Sequence, residues 1–544
     1  MGTSLPQGGT MLAKSTFFAL AALVVALVVG GPAHAAQDAG PSLRQASTAD
    51  HSKFKDLQGP FASGPEVTKA CLSCHTEAAK QVHKSLHWTW DYTNPQTGQK
   101  LGKKNIINNF CVSLGTNEPR CTSCHVGFGW KDDGFDFASE ANVDCLVCHD
   151  RTGSYKKFPT DAGHPNYVEK QFPPGSGKVW PPADLAKVAQ NVGPSSRQTC
   201  GACHFFGGGG DAVKHGDIDS SLGKPDKALD VHMDANGLNF TCATCHTTTG
   251  HITAGSRFAT KAVDKNGIDV PGHTDGNRAT CESCHGMAPH KNDTFAAKLN
   301  DHTDRVACPT CHVPTFARKQ ATKTVWDWST AGKLKDGKPF MVKDPSGHVT
   351  YDSMKGDFQF AANVVPAYRW FNGDIKYTVK GEKIDDSRMV GINMLGGSAA
   401  DPAARIWPFK EFKGRQPYDT VNKTLLMPHV FGKDENAFWG NFDWGKALTA
   451  GMANAGYPYS GQYGFIDSVY YWPITHMVAP KADAVKCGSC HSAEGRLKDV
   501  PGFYMPGRDR FAWLDLIGFG LAGLTLAGVV LHLVLRVALS RRGR

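Results

Sequence analysis

The chain has 544 residues, a formal charge of +9 and 17 cysteines, with 59 glycines and 31 prolines. That length holds more than one hydrophobic core, and so much glycine and proline favours turns over long periodic elements. Sixteen of the 17 cysteines fall in one repeated spacing, CxxCH, which excludes the disulfide framework that an exported chain would otherwise suggest.

In chain order, residues 1–36 read as a signal peptide. Lys14 is the basic flank, Phe17 to Val29 the apolar run, and Ala33-His34-Ala35 the cleavage pattern. The body then divides into 37–313, with seven of the motifs, and 314–505, rich in aromatics and carrying the eighth. A second apolar segment, 511–539, is long enough to cross a bilayer as one helix. Arg541, Arg542 and Arg544 in the 540–544 tail put the C-terminus in the cytoplasm. His532 in that segment reads as a buried polar residue in preference to a ligand for a membrane haem. These ends predict a protein on the periplasmic face of a bacterial inner membrane, held by a single-pass anchor.

The motifs are Cys71, Cys74 and His75; Cys121, Cys124 and His125; Cys145, Cys148 and His149; Cys200, Cys203 and His204. The remaining four are Cys242, Cys245 and His246; Cys281, Cys284 and His285; Cys308, Cys311 and His312; Cys487, Cys490 and His491. In this spacing two thiols add to the vinyl groups of a haem and the following histidine reaches its iron. Composition alone gives about 0.02 such motifs by chance. A zinc reading needs paired CxxC units and gives no reason for a histidine after every pair. Eight covalently bound haem c groups are therefore expected. Their propionates, roughly 16 acidic groups, give the positive charge an internal use, so nucleic acid is not an expected partner.

Seven motifs between Cys71 and His312 are too dense for each haem to own a conventional core, so the haems themselves become the core. The expected fold is mainly α with much irregular loop, a multihaem cytochrome c wrapped around eight haems. A few short β-hairpins and one C-terminal transmembrane helix complete it. A six-coordinate haem needs a second axial ligand, and 13 histidines lie outside the motifs and the two ends. His87, His215, His232, His251, His290, His302 and His429 are the favoured seven, with His476 and His83 as near alternatives. In 314–505, Lys338–Lys343, His348–Tyr351 and Lys376–Lys380 read as hairpin strands. Lys433 to Ala453 has weak helical character. The stretch reads as a layer whose aromatics cover haem edges.

Two features remain. Cys111 belongs to no motif; it reads equally as a sulfur-handling or oxidisable residue beside a haem or as a buried inert thiol. The fourth motif runs into Phe-Phe and four glycines, then Asp211, Lys214 and His215. Glycines let the backbone pass close to a bulky group, and a desolvated lysine amine can ligate iron. A solvated salt bridge is the alternative. The Asp-x-x-Lys spacing recurs at Asp184–Lys187, Asp443–Lys446 and Asp483–Lys486, and Lys131, Lys156 and Lys157 also lie near motifs, so spacing alone does not select Lys214.

Eight CxxCH motifs, a lone cysteine upstream of the second and a lysine after the fourth resemble the octahaem tetrathionate reductases, over roughly Cys71 to His491. The resemblance implies one lysine-ligated working haem among bis-histidine haems, with an aspartate and a cysteine close by. Residue by residue, Lys214 would be the iron ligand, Asp211 the neighbouring acid and Cys111 the lone cysteine. The working haem would be the one on Cys121 and Cys124. Its ligation is similar to that of pentahaem nitrite reductases, although no CxxCK is present here. The implied substrate is a small inorganic anion or N- or S-oxide: tetrathionate, reduced to two thiosulfates, with nitrite and hydroxylamine at the same iron. The partners expected are a quinol-linked membrane electron donor or another cytochrome, the membrane, and a second copy of the chain. The C-terminal helix is an addition to the family pattern. The rival readings are an electron conduit without a substrate site and an oxidase of hydroxylamine or reduced sulfur compounds.

Overall fold

The computed structural model describes residues 48–542 apart from 111–112, 174–175, 270–277 and 292–293. The signal-peptide segment, Cys111 and His273 lie outside the described residues.

Between residues 48 and 312 the chain is a succession of short helices and turns. Each attachment motif occupies or ends one of them: Gly64–Leu72, Glu118–Cys121 with Thr122–Cys124, Leu146–His149, Arg197–His204, Cys242–Cys245, Glu282–His285 and Cys308–His312. The eighth lies on Cys487–Cys490. The chemistry of CxxCH explains why a single turn suffices. Positions one and five of the motif share a helix face, so one turn turns a thiol and the imidazole to the same side. The hydrogen bonds follow: His75 N to Cys71 O at 2.9 Å, His246 N to Cys242 O at 2.8 Å and His491 N to Cys487 O at 2.9 Å. The Arg197–His204 helix starts on a capping box, with Ser196 and Thr199 each bonding the other's backbone N–H. Motif two departs from this pattern. Its last turn is a 3-10 turn, and His125 has left the helix at φ −70°, ψ 145°.

Residues 322–473 build a sheet of nine strands: β1 Thr322–Asp327, β2 Met341–Lys343, β3 Val349–Asp352, β4 Gly356–Ala361, β5 Ala367–Phe371, β6 Val390–Gly391, β7 Arg405–Asp419, β8 Thr424–Leu425 and β9 Tyr463–Pro473. The order is β6-β9-β7-β1-β4-β3-β2, with β5 and β8 also paired to β7. Strands β7 and β9 run antiparallel from Phe409–Pro473 to Asp419–Tyr463, and β7 meets β1 in parallel at Lys413–Val325. The largest cluster of buried side chains sits here. It includes Trp326, Trp328, Phe371, Phe409, Phe412, Tyr470 and Trp472, and it takes in Ile107, Phe110 and Val213 from the helical part. Phe371, Phe409 and Phe412 are fully buried, each worth roughly 1.5–3 kcal/mol. Trp328 Nε1 donates to Phe110 O at 2.8 Å and fastens the two parts.

The sheet corrects the expectation of a mainly α chain with a few hairpins. The hairpin β2–β3 is present, and Ile375–Tyr377 pairs with Asn393–Leu395. The long central strands are the addition. Two prolines, Pro408 and Pro417, interrupt β7, yet their carbonyls still accept from Ile474 N and Leu426 N, both at 3.0 Å. The Lys433–Ala453 stretch holds the helices Phe438–Asn441 and Trp444–Asn454. The C-terminal helix runs Ala512–Arg542. It is long and apolar enough to cross a membrane, with mean hydropathy 2.1 and none of that stretch buried against the body.

Candidate functional site

Seven of the eight motif histidines face a second histidine. The pairs and their ring-centroid separations are His75–His51, 6.4 Å; His149–His251, 6.4 Å; His204–His87, 6.3 Å; and His246–His476, 6.2 Å. The others are His285–His232, 6.0 Å; His312–His290, 6.2 Å; and His491–His302, 6.1 Å. These gaps are too wide for stacking and too uniform for chance. Two imidazoles on opposite sides of one metal ion, with metal–nitrogen bonds of about 2 Å, bring their centroids to about 6 Å. The protein alone thus holds the space that a haem iron requires at seven motifs.

The ring tautomers agree. His149 Nδ1 donates to Gly193 O at 2.8 Å, His246 Nδ1 to Ala254 O at 2.9 Å and His491 Nδ1 to Pro506 O at 3.0 Å. On the opposite sides, His251 Nδ1 donates to Gln81 Oε1 at 2.8 Å, His302 Nδ1 to Lys298 O at 2.7 Å and His476 Nδ1 to Asp217 Oδ2 at 3.0 Å. A proton fixed on Nδ1 leaves the Nε2 lone pair free for a metal.

His125 is the exception. Its Nε2 lies 2.6 Å from Trp88 O. Its ring sits in a box of Trp88, Trp90, Trp130 and Phe135, with centroids 4.9–5.5 Å away. It is fully buried, and burial pushes its pKa down to about 3. The extended backbone at His125 turns the ring into this box. A Cβ on Gly127 would lie 2.7 Å from Trp88 and 2.9 Å from His125, so the box depends on that glycine.

Motif four, which the glycine loop follows, comes to motif two. Cys203 Sγ lies 3.9 Å from Cys124 O. Gly208 and Gly209 have φ of 81° and 93°, and Ala212 is left-handed at 58°, which folds the loop tightly enough to return. Lys214 Nζ lies 4.9 Å from the Trp472 ring centroid. Burial holds its pKa well below the usual ammonium value, helped by the charges of Arg257 and Lys103 and opposed by Cys124. Arg257 lies over the same Trp472 ring at 4.9 Å, and Trp472 stacks on Tyr470 at 4.5 Å. Lys103 Nζ donates to Cys121 O at 2.8 Å.

Other expected residues lie elsewhere. Asp211 accepts from Ser220 N at 2.9 Å and from Ser220 Oγ, which ties it to the loop's own backbone. His215 packs edge-on against Trp472 at 4.9 Å, and His429 bonds Thr116 O at 2.7 Å and Asp434 at 2.9 Å. The structure brings neither opposite a motif histidine; His51 and His476 stand in those places. His83 stacks on Trp88. Among the competing lysines, the Asp184 and Asp443 carboxylates accept from the backbones of Lys187 and Lys446 and are helix caps. Lys157 is paired with Asp144 at 3.0 Å. Arg257, Lys410 and Thr322 carried no local signal in the sequence.

Comparison with known proteins gives this arrangement a family. A crystal structure of an octahaem cytochrome c from Shewanella oneidensis superposes with a TM-score of 0.71 at 42% identity, covering 82% of this chain and 95% of that one. The chain belongs to the multihaem c-type cytochromes. The family model described as cytochrome c, bacterial, matches residues 323–494, and that described as cytochrome c554 and c-prime matches 62–150. A protein of Archaeoglobus fulgidus described as uncharacterized is 27% identical over 264 residues, 40% of this chain and 82% of its own length.

In this multihaem cytochrome the attachment sites adjoin one another. The Cys71 thiol has that of Cys145 as its side-chain hydrogen-bond partner, as Cys124 has Cys203, Cys200 has Cys242 and Cys281 has Cys308. These contacts join motif one to three, four to both two and five, and six to seven.

Proposed function

We propose that the protein is a membrane-anchored, outward-facing octahaem reductase whose working site is the haem on Cys121 and Cys124, with Lys214 as its iron ligand. The observation that carries this reading is the division of the motif histidines. Seven face a second imidazole at 6.0–6.4 Å, whereas His125 is bonded to Trp88 O inside an aromatic box. Bound haem supplies one-electron carriage at the paired sites and, at the unpaired one, an iron position open to substrate.

The chain's own residues then have separable tasks. The fourteen paired histidines would hold haem at their sites through two imidazoles each, which suits electron carriage. His125, withdrawn, leaves its place to Lys214, and the glycine loop brings that lysine across from motif four. The Arg257 guanidinium makes no hydrogen bond or ion pair among the described residues and shares the Trp472 ring with Lys214. It is a ready partner for an oxyanion. Trp472 Nε1, buried without a hydrogen-bond partner, is a second donor. Such a cationic pocket suits tetrathionate, which takes up two electrons as its central S–S bond breaks to give two thiosulfates; nitrite fits the same charge. Asp211 acts through the loop, which it secures by Ser220, and not as a free acid. The Ala512–Arg542 helix would hold motif eight near the bilayer and a quinol-linked donor, since Pro506, which bonds His491, lies just ahead of it.

Low-temperature EPR of the oxidised protein tests the reading. Seven bis-imidazole low-spin signals and one distinct signal that nitrite or cyanide perturbs are expected. Eight bis-imidazole signals, none of them perturbed, would establish an electron conduit instead.

A further inference from the structure

Residues 212–216 turn a corner that no regular element supports, with Ala212 left-handed behind two positive-φ glycines. Even so, the sheet side receives every one of their carbonyls. Thr322 Oγ1, at the start of β1, lies 2.6 Å from Ala212 O and 3.2 Å from His215 O. Lys410 Nζ, on β7, donates to Val213 O at 2.8 Å, to Lys214 O at 3.2 Å and to Thr322 Oγ1 at 2.6 Å. Ala317 N donates to Gly216 O at 2.6 Å. All three hydrogen-bond contacts of Lys410 Nζ lie here.

Lys410 and Thr322 are both fully buried, and no carboxylate touches Lys410 among the described residues. A buried lysine amine held only by neutral oxygens, with burial pulling its pKa well below the usual ammonium value, is an expensive core residue; an apolar side chain of the same length would serve packing better. Its use lies in geometry. Two carbonyls fixed by one rigid donor set the direction in which the intervening residue, Lys214, leaves the backbone. The one hydroxyl hydrogen of Thr322 goes to Ala212 O, with His215 O farther off, and so fixes the corner just ahead of Val213.

We propose that Lys410 and Thr322 are positioning residues that aim Lys214 at motif two. The haem-free sheet thereby becomes the part of the molecule that sets the ligand geometry of the working site. This rests on the reading of Lys214 as iron ligand. Outer partners of a ligand are typically worth about tenfold to hundredfold in activity or affinity.

Thr322→Val keeps the shape and removes the hydroxyl, Thr322→Ser restores the hydroxyl, and Lys410→Met keeps the length and removes the donors. Each holoprotein is measured for haem content, EPR and turnover. In Thr322→Val and Lys410→Met, full haem content and seven unchanged bis-imidazole signals are expected. The eighth signal shifts or broadens, turnover falls about tenfold to hundredfold, and Thr322→Ser behaves as the parent. A parental eighth signal and parental turnover in both variants would overturn the proposal. If Lys410→Met fails to load haem, the Val and Ser variants at 322 decide alone. Lys214→Ala is run beside them. An unchanged eighth signal there defeats the lysine reading itself, whereas a changed one with parental behaviour at 322 and 410 defeats only the clamp.

Discussion

The helical part and the sheet of this cytochrome are held by different means. Between residues 48 and 312 the buried side chains form small groups, such as Leu57, Val67, Leu146 and Val188, or Trp88, Trp90 and Trp130, or join the cluster of the sheet, as Ile107, Phe110 and Val213 do. The attachment turns are one turn long, and what lies between facing histidines is space for haem. In the sheet one continuous cluster, led by tryptophan, tyrosine and phenylalanine, holds most of the buried side chains and draws in neighbours such as Ile107, Phe110 and Val213. The contrast teaches a division of labour: the helical part depends on its cofactors for a core, and the sheet supplies a cofactor-independent wall against which a loop can be aimed.

Removing one haem should break the contrast most severely. With Cys242 and Cys245 both replaced by alanine, limited proteolysis read by mass spectrometry should cut within 64–312 and spare 405–473. Equal cutting in both regions would show that the sheet too needs haem. Next in size is Trp328→Ala, which removes a fully buried ring and its bond to Phe110 O. The loss expected is about 3–5 kcal/mol of unfolding free energy, measured by urea denaturation, while the haem spectra of the folded protein stay unchanged. A haem spectrum that moves with this substitution would mean that the sheet core and the haem sites are one unit.

The attachment motifs were legible because covalent chemistry forces their ligands into five consecutive residues. The facing histidines were not, because nothing local marks them: His476 meets His246 and His302 meets His491 across more than half of the later chain. His87, His232, His251, His290 and His302 do stand opposite motif histidines. His215 looked similar in sequence, beside Lys214, but its backbone carbonyl lies 3.2 Å from Thr322 Oγ1 and its ring turns to Trp472. The sheet was hidden for another reason. Strand β7, with Pro408, Gly414, Pro417 and six charged residues, reads as loop. Its register is fixed by β9, β1 and β5 around it, so tertiary pairing overrides its local preference. Asp211 and Lys214 read as a charged pair one turn apart, yet the left-handed Ala212 between them sends the carboxylate to Ser220 and the amine to Trp472.

Which side chain reaches the eighth iron is the central claim, and one paired measurement tests it directly. Lys214→Ala and His125→Gln, in which the glutamine amide can still donate to Trp88 O, are compared with the parent by low-temperature EPR of the oxidised holoproteins. The account predicts that Lys214→Ala changes the eighth haem signal and abolishes its response to nitrite, while His125→Gln leaves both as they were. The reverse outcome, with the signal lost on replacing His125 and kept on replacing Lys214, would contradict it.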